Sequence, residues 1–270
     1  MAAHDKGPLL GRQVRGSEAY DPALLFPVPR ANARESLPGG QFAGFGEDVW
    51  HAYELSWLSA SGMPRMYLGV LRVPATSPNI VESKSIKLYL NSLNNHRFAD
   101  ASEAQRAIEN DVGAVAGEAV RLELHDIDAE RFRGAELEAE CLDSLEVMVP
   151  REPDPTLLRD AGGAFGVRLC THLMRSRCPV TDQPDWATVV IETRGTAPER
   201  AGLLSYLLAY RNHQEFHEQC VERIYTDLEA QLRPEFLSVH ALYTRRGGLD
   251  ICPWRCSEDH PAPLLRMNRQ

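Results

Sequence analysis

The stretch YLNSLNNH, residues 89–96, returns as YLLAYRNH at residues 206–213. Tyr89, Leu90, Asn95 and His96 thereby correspond to Tyr206, Leu207, Asn212 and His213 at a constant offset of 117 residues. The same offset carries Val120, Leu122 and Leu124 of VRLELHDI onto Leu237, Val239 and Ala241 of LSVHALYT. One spacing kept from a helical segment into an alternating segment marks a duplicated unit. Upstream, Asp48 and Trp50 open a strand as Asp185 and Trp186 do, with the following loop about twenty residues shorter in the second copy.

Working outward from the repeat, VWHAYELSWL has the period of two and the aromatic content of a strand. The turn SASGMPR and the run MYLGVLRVP complete a hairpin. IVESKSIKLYLNSL then changes to helical spacing, with Ile86, Tyr89, Leu90 and Leu93 on one face and Ser83 or Ser85 as the expected N-cap. Each copy therefore reads strand, strand, helix, helix, strand, strand. Hairpins flanking paired helices predict an α+β fold, with an antiparallel sheet carrying its helices on one face. Residues 1–45 read as a Pro- and Gly-rich arm, 46–151 as the first module, 152–163 as a linker and 164–270 as the second module.

Composition excludes several classes. The net charge of −9 opposes a broad nucleic-acid footprint, which needs clustered lysine and arginine. No apolar run approaches the ~20 residues that span a bilayer. The start, MAAHDKGPLLGRQ, lacks the basic and apolar regions of an export signal, so a cytoplasmic location is expected. Six scattered cysteines in a chain with ample core do not require a disulfide scaffold.

Four polar clusters carry candidate chemistry. In SRCPVTDQPDW, residues 176–186, Cys178 follows Arg175 and Arg177, cations that would favour a thiolate; the alternative is a buried, inert thiol. Asp185, between Pro184 and Trp186, is an acid whose proton affinity an apolar wall would raise, or an aspartate that caps a turn. In NHQEFHEQCVERIYTDL the apolar stripe Val221, Ile224, Tyr225, Leu228 and Leu232 includes His217, which by default is a core histidine. His213 and His217 are four apart, but HQEFH matches neither zinc-protease motif, and no metal is expected there. No dinucleotide fingerprint occurs, since GGQFAGFG and GGAFG have the wrong spacing. An anionic cofactor would instead use the helix N-terminus at ESKSIK, with Lys84 and Lys87, or Arg245 and Arg246 beside the glycines of TRRGGLD; both clusters also read as solvated basic faces.

Together YDPALLFPVPR, ATSPNIVESKSIKLYLNSLN, CPVTDQPDWATVVI, RNHQEFHEQCVERI and YTRRGGLDICPWR closely resemble the bimodular NADPH-dependent 7-cyano-7-deazaguanine reductases, the nitrile reductases of queuosine biosynthesis. ESKSIKLY is the most specific segment, because related tunnelling-fold enzymes such as GTP cyclohydrolase lack it. The resemblance implies two tandem tunnelling-fold modules, each a four-stranded antiparallel sheet with two helices. It implies Cys178 as nucleophile, Asp185 as general acid and His217 as a proton relay. Val81, Glu82, Ser83, His217 and Glu218 would bind the substrate, and Ser83, Lys84, Arg246 and Gly247 would bind NADPH. Cys220 follows Glu218 by two residues, so with Glu218 on the substrate Cys220 is expected near Cys178, where the pair could form a reversible protective disulfide. A homodimer is the expected assembly, with no direct nucleic-acid or membrane partner. Two other readings compete: a zinc-dependent pterin or purine hydrolase, and a catalytically silent purine-binding module.

Overall fold

Alternation in the sequence becomes one twisted sheet. The computed structural model describes residues 19–162 and 166–270; residues 1–18 of the expected arm, including the MAAHDKGPLLGRQ start, and residues 163–165 at the head of the second module lie outside the described residues. In chain order the elements are β1 (Pro27–Pro29), α1 (Ala31–Arg34), β2 (Phe45–Leu58), β3 (Pro64–Pro74), β4 (Asn79–Val81), α2 (Ser83–Ser92), α3 (Ala101–Ala116) and β5 (Arg121–His125). They continue through β6 (Glu140–Cys141), β7 (Val167–Arg177), β8 (Pro184–Arg194), α4 (Arg200–Ala209), α5 (His217–Leu232), β9 (Phe236–Tyr243) and β10 (Leu249–Cys256).

Eight strands form a single sheet in the order β5-β3-β2-β10-β9-β8-β7-β6. All neighbours are antiparallel except β6 and β7. The two halves are joined where β10 pairs with β2 from Leu249↔Ala52 to Cys256↔Phe45, so the seam is continuous hydrogen-bonded sheet. Helices α2 and α3 cover one half through Trp50, Ile86, Tyr89, Leu93, Ile108 and Val112. Helices α4 and α5 cover the other through Leu203, Tyr206, Val221, Ile224 and Leu228. The opposite face buries Val49, Val70, Leu242, Cys252 and Trp254 beneath the chain that follows β10.

The α+β class and the duplication hold. Tyr89 donates a hydrogen bond to Asp111 on the neighbouring helix at 2.7 Å, and its repeat partner Tyr206 donates to Asp227 at 2.6 Å. Leu122 lies opposite Leu71 in one half, and Val239 opposite Ile191 in the other.

Four details differ from the sequence reading. First, β8 is the counterpart of β3 and not of β2, because both stand second in a hairpin and both pair with the strand that follows the helices. The apparently shortened loop contained no missing strand, since β7 lies upstream of Asp185. Second, the first half contributes three strands to the sheet; after β5 the chain crosses to the far edge of the second half, where β6 pairs with β7. Third, the N-cap of α2 is Glu82, whose carboxylate accepts from the Lys84 and Ser85 amides, both at 2.8 Å. Fourth, the arm is not merely extended. Strand β1 pairs with β4, and Arg30 enters a buried ion network with Asp48, Glu222 and Arg255.

Candidate active site

Cys178 and Asp185 stand on either side of the turn that joins β7 to β8. Ser176 pairs with Asp185 and Arg177 with Pro184, and the Cys178 amide donates to the Gln183 carbonyl at 2.9 Å. Cross-strand partners share a sheet face and neighbours along a strand alternate. Cys178, Ser176, Gln183 and Asp185 therefore fall on one face, while Arg175 and Arg177 fall on the other. This corrects the expectation that those arginines activate the thiol. Arg175 lies over the Trp186 ring, 5.8 Å from its centre, and Arg177 pairs with Asp182. What Cys178 has instead is the Thr181 amide, which donates to its Sγ at 3.5 Å.

The hairpin opens onto a cavity of about 240 Å³ at the seam between the two halves. From the second half Cys178, Asp185, His217 and Glu218 line it; from the first, Val81, Ser83, Lys84 and Lys87 do, and the β9–β10 turn adds Arg246 and Gly247. Of the residues that the resemblance assigns to catalysis, substrate or cofactor, all but Glu82 line this cavity; Cys220, His213 and Arg245 do not.

Asp185 is 5% exposed and has polar company, where an apolar wall was expected. Its Oδ1 meets Arg246 Nη1 at 2.9 Å, and its Oδ2 meets His217 Nε2 at 3.4 Å. His217 is the first residue of α5 and stacks on Tyr243, with ring centres 3.7 Å apart and planes within 8°. Its position on the apolar stripe thus reflects packing on Tyr243, while its polar edge faces the acid. Its Nδ1 is buried without a hydrogen-bond partner among the described residues. The other histidine of the pair, His213, instead contacts Glu215 at 3.0 Å.

Glu218 is 2% exposed, and its carboxyl is pushed up to about 7 by burial and by the negative charge of nearby Asp48; His217 acts in the opposite sense. Glu82 is buried too, with its carboxyl raised by desolvation, but both its oxygens already accept helix amides. These bonds also correct the expectation of free amides at that helix terminus. An anionic cofactor would have to be held there by side-chain cations. Lys84, Lys87 and Arg246 fit that requirement around Gly247, which has φ +57° and approaches Lys87 so closely that an added Cβ would lie 2.1 Å from Nζ.

Cys220 is a fully buried free thiol, raised well above its ordinary value by burial. Sequence reasoning missed Tyr243 and the Arg30–Asp48–Glu222–Arg255 network. Their signals lie in contacts across up to 207 positions, which no local spacing displays.

A seam cavity that brings a thiol, a carboxyl, an imidazole and three cations together has the parts of a covalent-catalysis site with room for an anionic ligand, on an α+β fold. A family model described as nitrile reductase, 7-cyano-7-deazaguanine-reductase N-term, matches residues 17–124, and one described as QueF-like protein matches residues 184–262. The NADPH-dependent 7-cyano-7-deazaguanine reductase of Bordetella pertussis is 48% identical over 268 residues, covering 97% of each chain. Those of Dechloromonas aromatica and Acinetobacter baumannii are 45% and 44% identical, covering 94% and 97% of this chain and 92% and 98% of their own. The chain belongs to the 7-cyano-7-deazaguanine reductase family.

Proposed function

We propose that this chain reduces the nitrile of 7-cyano-7-deazaguanine to the primary amine, giving 7-aminomethyl-7-deazaguanine at the expense of two NADPH. The names of its full-length relatives support the substrate and the cofactor. The observation that carries the mechanism is the meeting of Cys178 and Asp185 on one face of the β7–β8 hairpin, in a cavity that Glu218 also lines.

A nitrile carbon is a poorly activated electrophile. Addition of the Cys178 thiolate makes a C–S bond and turns the triple bond into a thioimide, while the nitrile nitrogen takes a proton from Asp185. His217, 3.4 Å from Asp185, and Arg246, 2.9 Å away, hold that carboxyl in place, and the imidazole can replace the proton. Bound NADPH supplies the hydrides. Expulsion of the thiol after the first reduction leaves an imine, which the cavity must keep from water until it is reduced again. Glu218 accepts from the ring N–H and exocyclic amine. Lys84 and Arg246, with Ser83 and Gly247, bind the dinucleotide phosphates. Glu82, the N-cap of α2, binds the substrate with Glu218, and Val81, Ser83 and His217 line the site.

The module boundaries at residues 46–151 and 164–270, the tunnelling-fold assembly, a homodimer and a cytoplasmic location belong to the same reading. Among the described residues no helix is long and apolar enough to cross a membrane. The decisive experiment mixes the protein with 7-cyano-7-deazaguanine without NADPH and measures intact mass. An adduct of the whole substrate on the wild type, absent from Cys178→Ala, is expected. Active protein with no adduct would overturn the covalent mechanism, and one NADPH consumed per nitrile would overturn the product.

A further inference from the structure

The strand β6 is only two residues long, yet it places Cys141 directly opposite Cys170 of β7. His172 brings an imidazole to the same spot, and the two sulfurs and a ring nitrogen all lie within 4.8 Å of one another. In a tetrahedral zinc site with bonds of about 2.0–2.3 Å, neighbouring ligand atoms are about 3.3–3.8 Å apart. The three atoms therefore have to close by at most about 1–1.5 Å to share one ion.

Three further features fit such a site. Cys141 is exposed and His172 half-buried, so an ion has a path in, while Cys170 is buried and anchored in the sheet. The Nδ1 of His172 contacts the hydroxyl of buried Thr188 at 2.9 Å, which leaves Nε2 for a metal and fixes the ring by the kind of outer contact that metal-binding histidines use. Asp143 fixes the backbone beside it, accepting from the Thr171 hydroxyl at 2.6 Å and from the His172 amide at 3.1 Å.

We propose that Cys141, Cys170 and His172 form a zinc-binding site, with water in the fourth position, separate from the seam cavity. Two thiolates and an imidazole are a donor set that suits Zn²⁺ over the oxygen-seeking cations. Binding makes two Zn–S bonds and one Zn–N bond, breaks two S–H bonds and releases two protons to solvent, with no change of oxidation state. The ion would further pin the long return of the chain to the edge of β7, where a two-residue pairing, the Leu142 amide on the Cys170 carbonyl at 2.9 Å, the Asp143 contacts and the Glu140–Arg200 ion pair already hold it. A second cluster, His51, Asp250 and Cys252, is less suited. Its imidazole and carboxylate are bonded to each other at 2.6 Å, Tyr53 takes the other oxygen, Gln270 contacts the thiol, and the three residues are all buried.

The test titrates Co²⁺, then Zn²⁺ in competition, into reduced, chelator-treated full-length protein carrying Cys178→Ala to silence the cavity thiol. A thiolate-to-cobalt charge-transfer band saturating at one equivalent is expected. It should be lost in Cys141→Ser and in Cys170→Ser and kept in Cys252→Ser, with circular dichroism certifying the fold of each variant. Thr188→Val should bind about 10- to 100-fold more weakly. Absence of the band, its survival in Cys141→Ser, its loss in Cys252→Ser, or a Cys141–Cys170 disulfide that persists in reducing buffer would each overturn the site.

Discussion

Glu218 gives the sharpest test of how the cavity recognises its ligand. Its carboxyl lies at about 7 against an ordinary 4.5, so in the free protein it keeps its proton below neutrality and loses it as the pH rises. Ring N–H donors favour the ionised form, so binding must expel that proton. Each pH unit is a tenfold change in the proton equilibrium, so Glu218 is ionised in about one-tenth of molecules at pH 6 and about nine-tenths at pH 8. Apparent Kd scales inversely with the competent fraction, which predicts binding about tenfold weaker at pH 6 than at pH 8. Calorimetry of 7-cyano-7-deazaguanine binding to Cys178→Ala, in buffers of different ionisation enthalpy, should count about half a proton released at pH 7. Glu218→Gln should abolish the release and weaken binding by about 2–4 kcal/mol, because two ring donors face an amide with one acceptor. A Kd that stays flat from pH 6 to 8, or proton uptake on binding, would refute the assignment.

Other expectations follow from the same contacts. Arg30→Ala removes a buried guanidinium from Asp48 and Glu222, and urea unfolding should show a loss of about 3–5 kcal/mol. Gly247→Ala forces φ +57° on a residue with a Cβ, at a strain of about 1–2 kcal/mol, and pushes Lys87 aside. Steady-state kinetics should record a raised KM for NADPH with the substrate Kd nearly unchanged; the opposite pattern would place the dinucleotide elsewhere. His217→Ala removes the imidazole from Asp185 and from Tyr243. If it relays protons, kcat should fall by about 10²- to 10⁴-fold with the thiol adduct still formed, whereas loss of the adduct would show that it acts earlier.

Much of this fold is legible in the chain because helices and strands advertise themselves by period. Val221, Ile224, Tyr225, Leu228 and Leu232 recur at helical spacing, and all are buried in α5. The hairpin around SASGMPR is read correctly as β2 and β3 for the same reason. Failures arise where residues near in sequence face opposite ways. Arg175 and Arg177 shortly precede Cys178 in the sequence, but pleating turns them to the other side of the sheet. The N-cap of α2 shows another kind of failure, since Ser83 and Ser85 are good caps by residue type, and only the folded backbone shows that the Glu82 carboxylate takes that place.

By itself the sequence determined the α+β class, the duplication and the residues that cluster as candidates, because each rests on local periodicity or on a motif contained in one segment. Tertiary structure alone decided that the two halves share one sheet through β2 and β10, that the first half ends with three strands, and that Asp185 faces Arg246 and His217. It also decided that Asp48, 170 positions from Glu218, raises the affinity of that carboxyl for its proton. Charge acts through space across a desolvated interior, and the distances that set its strength exist only once the seam has closed.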